Sequence, residues 1–289
     1  MRRTAVVSWR RWCDRSTTRT RGGIVRAETG FEHFRLSRHD PSPELAWAVD
    51  RCWIVRWDLV GREPYEQRIV PHPAVHLVFE GGKVEIEAIS RHEFVRRLEG
   101  RGQVLGIKFR PAGFRPFLGR ALSTITEQRL PATAVPAFAD ADAGAALDDL
   151  ARRIHEADDV DALAADVDRF LAGRGVAPLP MTGVVDSIVE HIRQDRSIVR
   201  VDDLARRLGT STRRLQRLFA DHVGLGPKWV INRSRVLEAA ELAAGAGTAD
   251  APVDWAALAA DLGYSDQAHL VRDFTAKVGT PPDRYARGG

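Results

Sequence analysis

The chain is short of cysteine and has no long apolar run, and each shortage closes a class. Cys13 and Cys52 are its only cysteines, too few for a disulfide framework or for a structural zinc site. No stretch approaches the roughly 20 apolar residues that cross a bilayer, so no membrane span is expected. The first 26 residues hold eight arginines, with Asp14 and Glu28 the nearby acids. They lack an apolar segment followed by a small-residue cleavage site, so they do not read as a secretory signal, and the cytoplasm is the expected location. Gly-x-Ser-x-Gly, a phosphate-binding P-loop and the dinucleotide fingerprint are also missing, so neither a catalytic centre nor a cofactor is expected.

With 289 residues, 44% of them hydrophobic, the chain can build two domains, each with its own core. The net charge of +4 invites a nucleic-acid reading, but its distribution matters more. Residues 1–30 carry +6, residues 31–179 carry −3 and residues 180–289 carry +1. The basicity therefore resides in an N-terminal tail without periodicity, expected to be disordered. Clustering elsewhere is more informative: Arg213, Arg214 and Arg217 share one short segment.

That segment belongs to a repeat. Leu204-Ala205-Arg206-Arg207-Leu208-Gly209-Thr210-Ser211, then Leu215, Arg217 and Phe219, recurs as Leu258-Ala259-Ala260-Asp261-Leu262-Gly263-Tyr264-Ser265, then Leu270, Arg272 and Phe274. Each copy predicts a helix with one apolar face, a tight turn at glycine, a serine N-cap and a second helix whose Leu and Phe point inward. Both copies end alike, Gly224-Leu225-Gly226-Pro227 matching Gly279-Thr280-Pro281-Pro282. This is the pattern of two helix-turn-helix motifs.

In these residues the chain resembles the AraC/XylS-type transcription regulators, over about residues 182 to 287. The resemblance implies two helix-turn-helix motifs joined by one long helix, which would carry Arg235 four residues before Ala239. Double-stranded DNA is the implied partner.

A helix entering the major groove turns side chains at i, i+3 and i+4 towards base edges while its other face packs on the preceding helix. In the first copy Leu215, Leu218 and Phe219 form the packed face and leave Arg213, Gln216 and Arg217 outward. Arg can take guanine O6 and N7, and Gln can take adenine N6 and N7. By resemblance these three also fall where the family reads bases. Ser211, Thr212 and Arg214 complete the expected DNA-binding set of this copy. The second copy offers Ala268, His269 and Arg272, with Val271 in place of Gln216. Sequence discrimination is therefore expected mainly from the first motif. Arg235 is expected to hold the two halves together, and Trp229 and Trp255 to be core residues.

Before the repeat the pattern changes. Trp53 to Trp57, Val75 to Phe79, Val84 to Ile89 and Val104 to Phe109 are strand-length apolar runs punctuated by Gly and Pro. They predict a mainly antiparallel sheet or small barrel, with Arg91 to Leu98 more helical in pattern. Ala112 to Leu118 reads as a short helix. Leu147, Leu150, Ile154, Leu163, Val167 and Phe170 predict a helical hairpin broken near residues 157–159. The fold class is thus α+β: a tail (1–30), a β-rich sensor-like or dimerisation domain with a helical hairpin (31–172), a Gly/Pro linker (173–180) and an all-α DNA-binding domain (181–289). The hairpin offers more apolar face than it needs, which points to a homodimer contact. The Trp47, Trp53 and Trp57 cluster suggests an apolar pocket for a small-molecule effector in an independently folded unit.

The segment from Ile69 to Phe79, with Lys108 to Phe114, looks like the poorly characterised sensor-like domain of one branch of AraC-type regulators. That branch more usually carries Asp and Cys about where His72 and His76 fall. These two histidines would share a strand face and, with His92, could in principle hold a metal, but they define no third ligand, and a pair without metal is expected. Glu85 and Glu87 read as an ordinary half-exposed strand face. Two other readings stay open: an alkyl-transfer repair enzyme fused to a helix-turn-helix module, which needs an activated cysteine, and an N-terminal domain that is purely an interaction module.

Overall fold

The computed structural model describes residues 30–246 and 253–286, with side chains to residue 242 in the first span. The tail of residues 1–29 and Cys13 lie outside the described residues. The N-terminal half is β-rich and the C-terminal half helical, in the order the sequence predicts.

Among the described residues eight strands form: β1 Arg35–His39, β2 Val49–Asp58, β3 Tyr65–Ile69, β4 His76–Glu80, β5 Lys83–Glu87, β6 Phe94–Leu98, β7 Arg101–Phe109 and β8 Arg129–Pro131. Six make one sheet in the order β1-β2-β7-β4-β5-β8, and β3 pairs with β6 in a second, every pair antiparallel. The single-residue alternation of β2 separates its two faces. Cys52 and Ile54 face a core shared with Leu77, Phe79, Leu105 and Ile107. Arg51, Trp53, Val55 and Trp57 face the opposite way, into a cavity of about 220 Å³ lined from both sheets.

Helix α1 (Arg115–Leu118) is one turn; α2 (Ala141–Glu156) starts at Asp140, whose carboxylate accepts from the Ala143 N–H at 2.8 Å; α3 (Ala164–Gly173) completes the hairpin. Leu147, Leu150 and Ile154 are buried in the core under the large sheet, and Leu163 and Phe170 pack against it. The apolar face expected to be spare for a dimer thus covers this chain's own sheet. Trp47 packs half-buried against that core, stacked on Phe117 at 6.2 Å, and of the expected trio Trp53 and Trp57 reach the cavity.

The helical expectation for Arg91 to Leu98 gives way to β6. Local periodicity could not show that Phe94–Leu98 finds its hydrogen bonds on Tyr65–Ile69, an earlier segment of the chain. His72 also departs from its expected place, since β4 begins only at His76 and His72 sits in the segment leading to it.

In the C-terminal half the described residues form seven further helices: α4 Thr182–Gln194, α5 Val201–Arg207, α6 Thr212–His222, α7 Pro227–Ala246, α8 Trp255–Asp261, α9 Gln267–Val278 and α10 Pro282–Ala286. One core gathers α4 to α6 and the start of α7; another gathers the later part of α7 with α8 to α10. Neither is closed by the C-terminal half alone. Ile89 and Ala112 are buried in the first and Val70 in the second. The N-terminal half keeps a core of its own while lending these three residues to the helical cores.

Candidate nucleic-acid interface

The first motif is α5, a turn and α6. Gly209 makes the turn at φ +60°, a left-handed conformation that side chains disfavour. Ser211 then caps α6, its hydroxyl accepting from the Arg214 N–H at 3.2 Å. Thr212 donates its hydroxyl to Asp202 at 2.8 Å, tying α6 to the first turn of α5. Both hydroxyls expected at DNA are thus engaged in building the motif.

Leu215 and Phe219 are buried, while Arg213, Arg214, Gln216 and Arg217 are exposed. Among the described residues none of these four side chains has an ion-pair or hydrogen-bond partner, whereas neighbouring Arg206 pairs with Asp203 and Arg207 with Asp195 at 2.7 Å. The cations on α6 are therefore unneutralised on an exposed face.

The second motif is α8, a turn at Gly263 with φ +69°, and α9. Its N-cap is not the expected Ser265 but Asp266, whose carboxylate accepts from the His269 N–H at 2.7 Å. The extra turn residue moves the cap one place on, and an acid there also complements the helix dipole. Ser265 is 3.2 Å from His269 Nδ1, whose ring lies edge-on to Tyr264. Ala268 and Arg272 are exposed, His269 half-buried, and Arg272 has no ion pair among the described residues. Among the described residues, one arginine without an ion pair on α9 stands against three on α6.

Helix α7 fixes the two motifs to each other. Arg235 is 8% exposed and lies over the Tyr264 ring at 5.8 Å, and Asn232 donates to Asp273 of α9 at 3.1 Å. Arg235 thus joins the halves, as expected. Trp255 is core, and Trp229 packs half-buried against the first core.

The N-terminal half docks behind this surface. Arg115 pairs with Asp221 at 2.9 Å and Thr126 donates to the Gly224 carbonyl at 2.9 Å, both at the far end of α6. Arg213 and Asp221 are eight residues apart, about 12 Å along a helix, so docking leaves the outward arginines free. Asp186 of α4, with its side chain 7% exposed, accepts from the Ala112 N–H at 2.9 Å and from Arg110 at 3.2 Å. Burial still raises its carboxyl above the usual range. Arg233 of α7, buried, donates to the Pro71 carbonyl, and burial lowers its pKa to about 10. No signal in the sequence marked Asp186 or Arg233, because their partners, two backbone groups and Arg110, are more than 70 residues away.

Cys52 bears on the alkyl-transfer reading. It is buried, and burial together with Asp161 and Asp168 pushes its thiol up to about 12, the reverse of an activated thiolate. His72 and His76 stand with ring centres 6.4 Å apart, while His92 is exposed beside Glu127. Glu85 and Glu87 both lie near Arg129, at 2.7 and 3.8 Å. No group of three or more His, Cys, Asp or Glu among the described residues could hold a metal, and no described helix is long and apolar enough to cross a membrane.

Comparison with known proteins agrees with this geometry. Residues 204–288 match the family model of a helix-turn-helix domain, of AraC type, and residues 37–131 match that of a domain of unknown function. No curated protein matches the chain. Among solved structures, the C-terminal domain of AraT, a response regulator from Geobacillus stearothermophilus, is 20% identical at a TM-score of 0.33, covering 38% of this chain and 89% of that one. Unsaturated fatty acid bound ToxT from Vibrio cholerae is 12% identical at a TM-score of 0.35, covering 88% and 95%. These scores are too low to support an argument from shape. The chain carries an AraC-type helix-turn-helix domain over residues 204–288. It is a DNA-binding transcription regulator.

Proposed function

We propose that the two motifs read one operator sequence from successive major grooves on one face of the duplex, roughly 34 Å apart. In this reading Arg213, Gln216 and Arg217 contact bases, Arg214 the backbone, and Ala268, His269 and Arg272 position the second motif. The unpaired, exposed arginines of α6 carry it, because arginines elsewhere on the motif are already neutralised. The expected location is the cytoplasm, and no catalytic role is assigned.

The N-terminal cavity, between two sheets and beside α7, supports an effector role rather than a purely scaffolding one. An effector acts by binding the DNA-competent and incompetent states unequally. The test is selection of bound fragments from random duplex DNA with the full chain, followed by footprinting. One protected face about two turns long is expected; binding no tighter than to random competitor at moderate salt overturns the reading.

A further inference from the structure

The cavity floor has an order that the register sets out. Glu87, His76, Lys108 and Arg51 are cross-strand neighbours in one row over β5, β4, β7 and β2. The next row on the same face is Val78, Gly106 and Trp53, then Val104 and Val55, then Gly102 and Trp57. Rows two residues apart are spaced about 7 Å, so an ionic row borders an apolar floor on the order of 20 Å long. Both glycines are required by the indoles: a Cβ at Gly106 would lie 2.1 Å from Trp53 Cζ2, and one at Gly102 2.3 Å from Trp57 Cζ2. The rings therefore lie down on bare backbone.

The ionic row is short of negative charge. Asp50 alone serves two cations, Lys108 Nζ and Arg51 Nε each at 3.0 Å from the same Oδ2. Arg38, opposite Trp53 on β1, lines the cavity with no ion pair among the described residues. Of the acids on the same sheet, Glu80 pairs with Arg96, and Glu87, at the far end of the row from Arg51, lies 3.8 Å from Arg129, which it shares with Glu85. His76 takes the Trp53 indole N–H on Nδ1 at 3.2 Å, which leaves its Nε2–H to donate. Partly buried cations that outnumber their carboxylates favour an anion brought from outside.

We propose that this cavity binds a small organic acid with a flat apolar body, its carboxylate met by Lys108, Arg51 and Arg38 and its body lying on Trp53, Val55, Val104 and Trp57. The proposal rests on reading the N-terminal half as a sensor and names the ligand class of that sensor. The wall also continues into the DNA-binding half at three places. His72 follows Val70 and Pro71, which touch the second core and Arg233. Ala88 precedes Ile89, buried in the first core. Lys108 is two residues before Arg110 and four before Ala112, the partners of Asp186. A ligand that shifts the wall therefore shifts contacts on which both helix-turn-helix cores close.

The experiment titrates the full chain with 2-naphthoate, its neutral amide 2-naphthamide and the cation 2-naphthylmethylammonium, followed by calorimetry and tryptophan fluorescence, with and without selected operator DNA. Naphthoate is expected to bind at least tenfold tighter than the amide. Arg38→Gln, exposed and unpaired, should keep the thermal melt and lose most of that preference while amide binding stays unchanged; Lys108→Gln should behave alike wherever it folds. Saturating naphthoate should change operator affinity at least fivefold. Amide or ammonium binding as tight as naphthoate, no binding by any of the three, or an unchanged preference in Arg38→Gln overturns the anion site. If naphthoate binds with the expected preference but operator affinity does not move, the anion site stands and the sensor reading falls.

Discussion

Arg217→Ala separates a base contact from a fold contact. Arg217 is exposed and makes no side-chain bond among the described residues, so removing it should change folding stability by no more than about 0.5 kcal/mol. A bidentate contact to guanine contributes about 1 to 3 kcal/mol of discrimination, or roughly 5- to 150-fold. The loss should appear at one base pair: wild type rejects the three substituted operators at that position, and Arg217→Ala binds all four about equally. Arg272→Ala, on the poorer helix, should weaken all operators alike and reduce the salt slope by about one. Fluorescence anisotropy at fixed salt against the selected operator and its single substitutions measures both. Arg235→Ala is the contrasting case, since that guanidinium is 8% exposed over Tyr264, and it should lower the melting temperature before any base preference changes. If Arg217→Ala and Arg272→Ala lose base preference equally, the assignment of reading to the first motif is wrong.

Three other outcomes follow from local geometry. Asp266→Ala should cost about 1 kcal/mol in denaturant melts as a lost N-cap, and Ser265→Ala clearly less; the opposite order would restore Ser265 as the cap. Gly106→Ala should displace Trp53, moving the indole emission and weakening naphthoate binding at least tenfold, because no Cβ fits 2.1 Å from that ring. His76 is held neutral mainly by burial and then by Lys108, its pKa lowered to about 3 from an ordinary 6.5, with Asp50 opposing. A depressed base binds fewer protons folded than unfolded between those values, so stability is complete above about pH 6.5 and falls as pH drops, by at most about 1.4 kcal/mol per unit for this group. His72, lowered in the same direction, adds to the slope, and His76→Gln should remove one proton's share of it; an unchanged slope would show that His76 titrates normally.

The motifs were legible because each is local. Glycine turns, inward Leu and Phe, and outward arginines lie within about 20 consecutive residues, where helical spacing alone sets which side chains share a face. Even the Asp266 cap is a shift of one residue inside a readable turn. The β-rich half was legible as strands but not as a cavity. Arg51, His76, Glu87 and Lys108 look unrelated along the chain, and become one row only through strand pairing between segments tens of residues apart. For the same reason Phe94–Leu98 read as helical until Tyr65–Ile69 supplied its ladder. The hairpin failed differently: its apolar face was read correctly, but the surface it covers belongs to strands that the periodicity of α2 and α3 cannot reveal.

The contacts between the halves give a shift at the cavity a short path into the helix-turn-helix cores. Ile89 is 1% exposed, Ala112 0% and Val70 3%, so each is inside a core of the DNA-binding half while its near neighbours Ala88, Lys108 and His72 line the cavity. A backbone stretch of one to four residues cannot absorb a displacement at one end without passing part of it to the other. The helix-turn-helix cores answer in kind, because close-packed interiors change by discrete repacking rather than by gradual strain. Arg233 adds a further condition: buried and, among the described residues, offset by the Pro71 carbonyl dipole, it is comfortable only while Pro71 stays in place. Whatever alters the Pro71–His72 segment therefore changes the setting of α7, the helix that fixes the distance between the two reading heads.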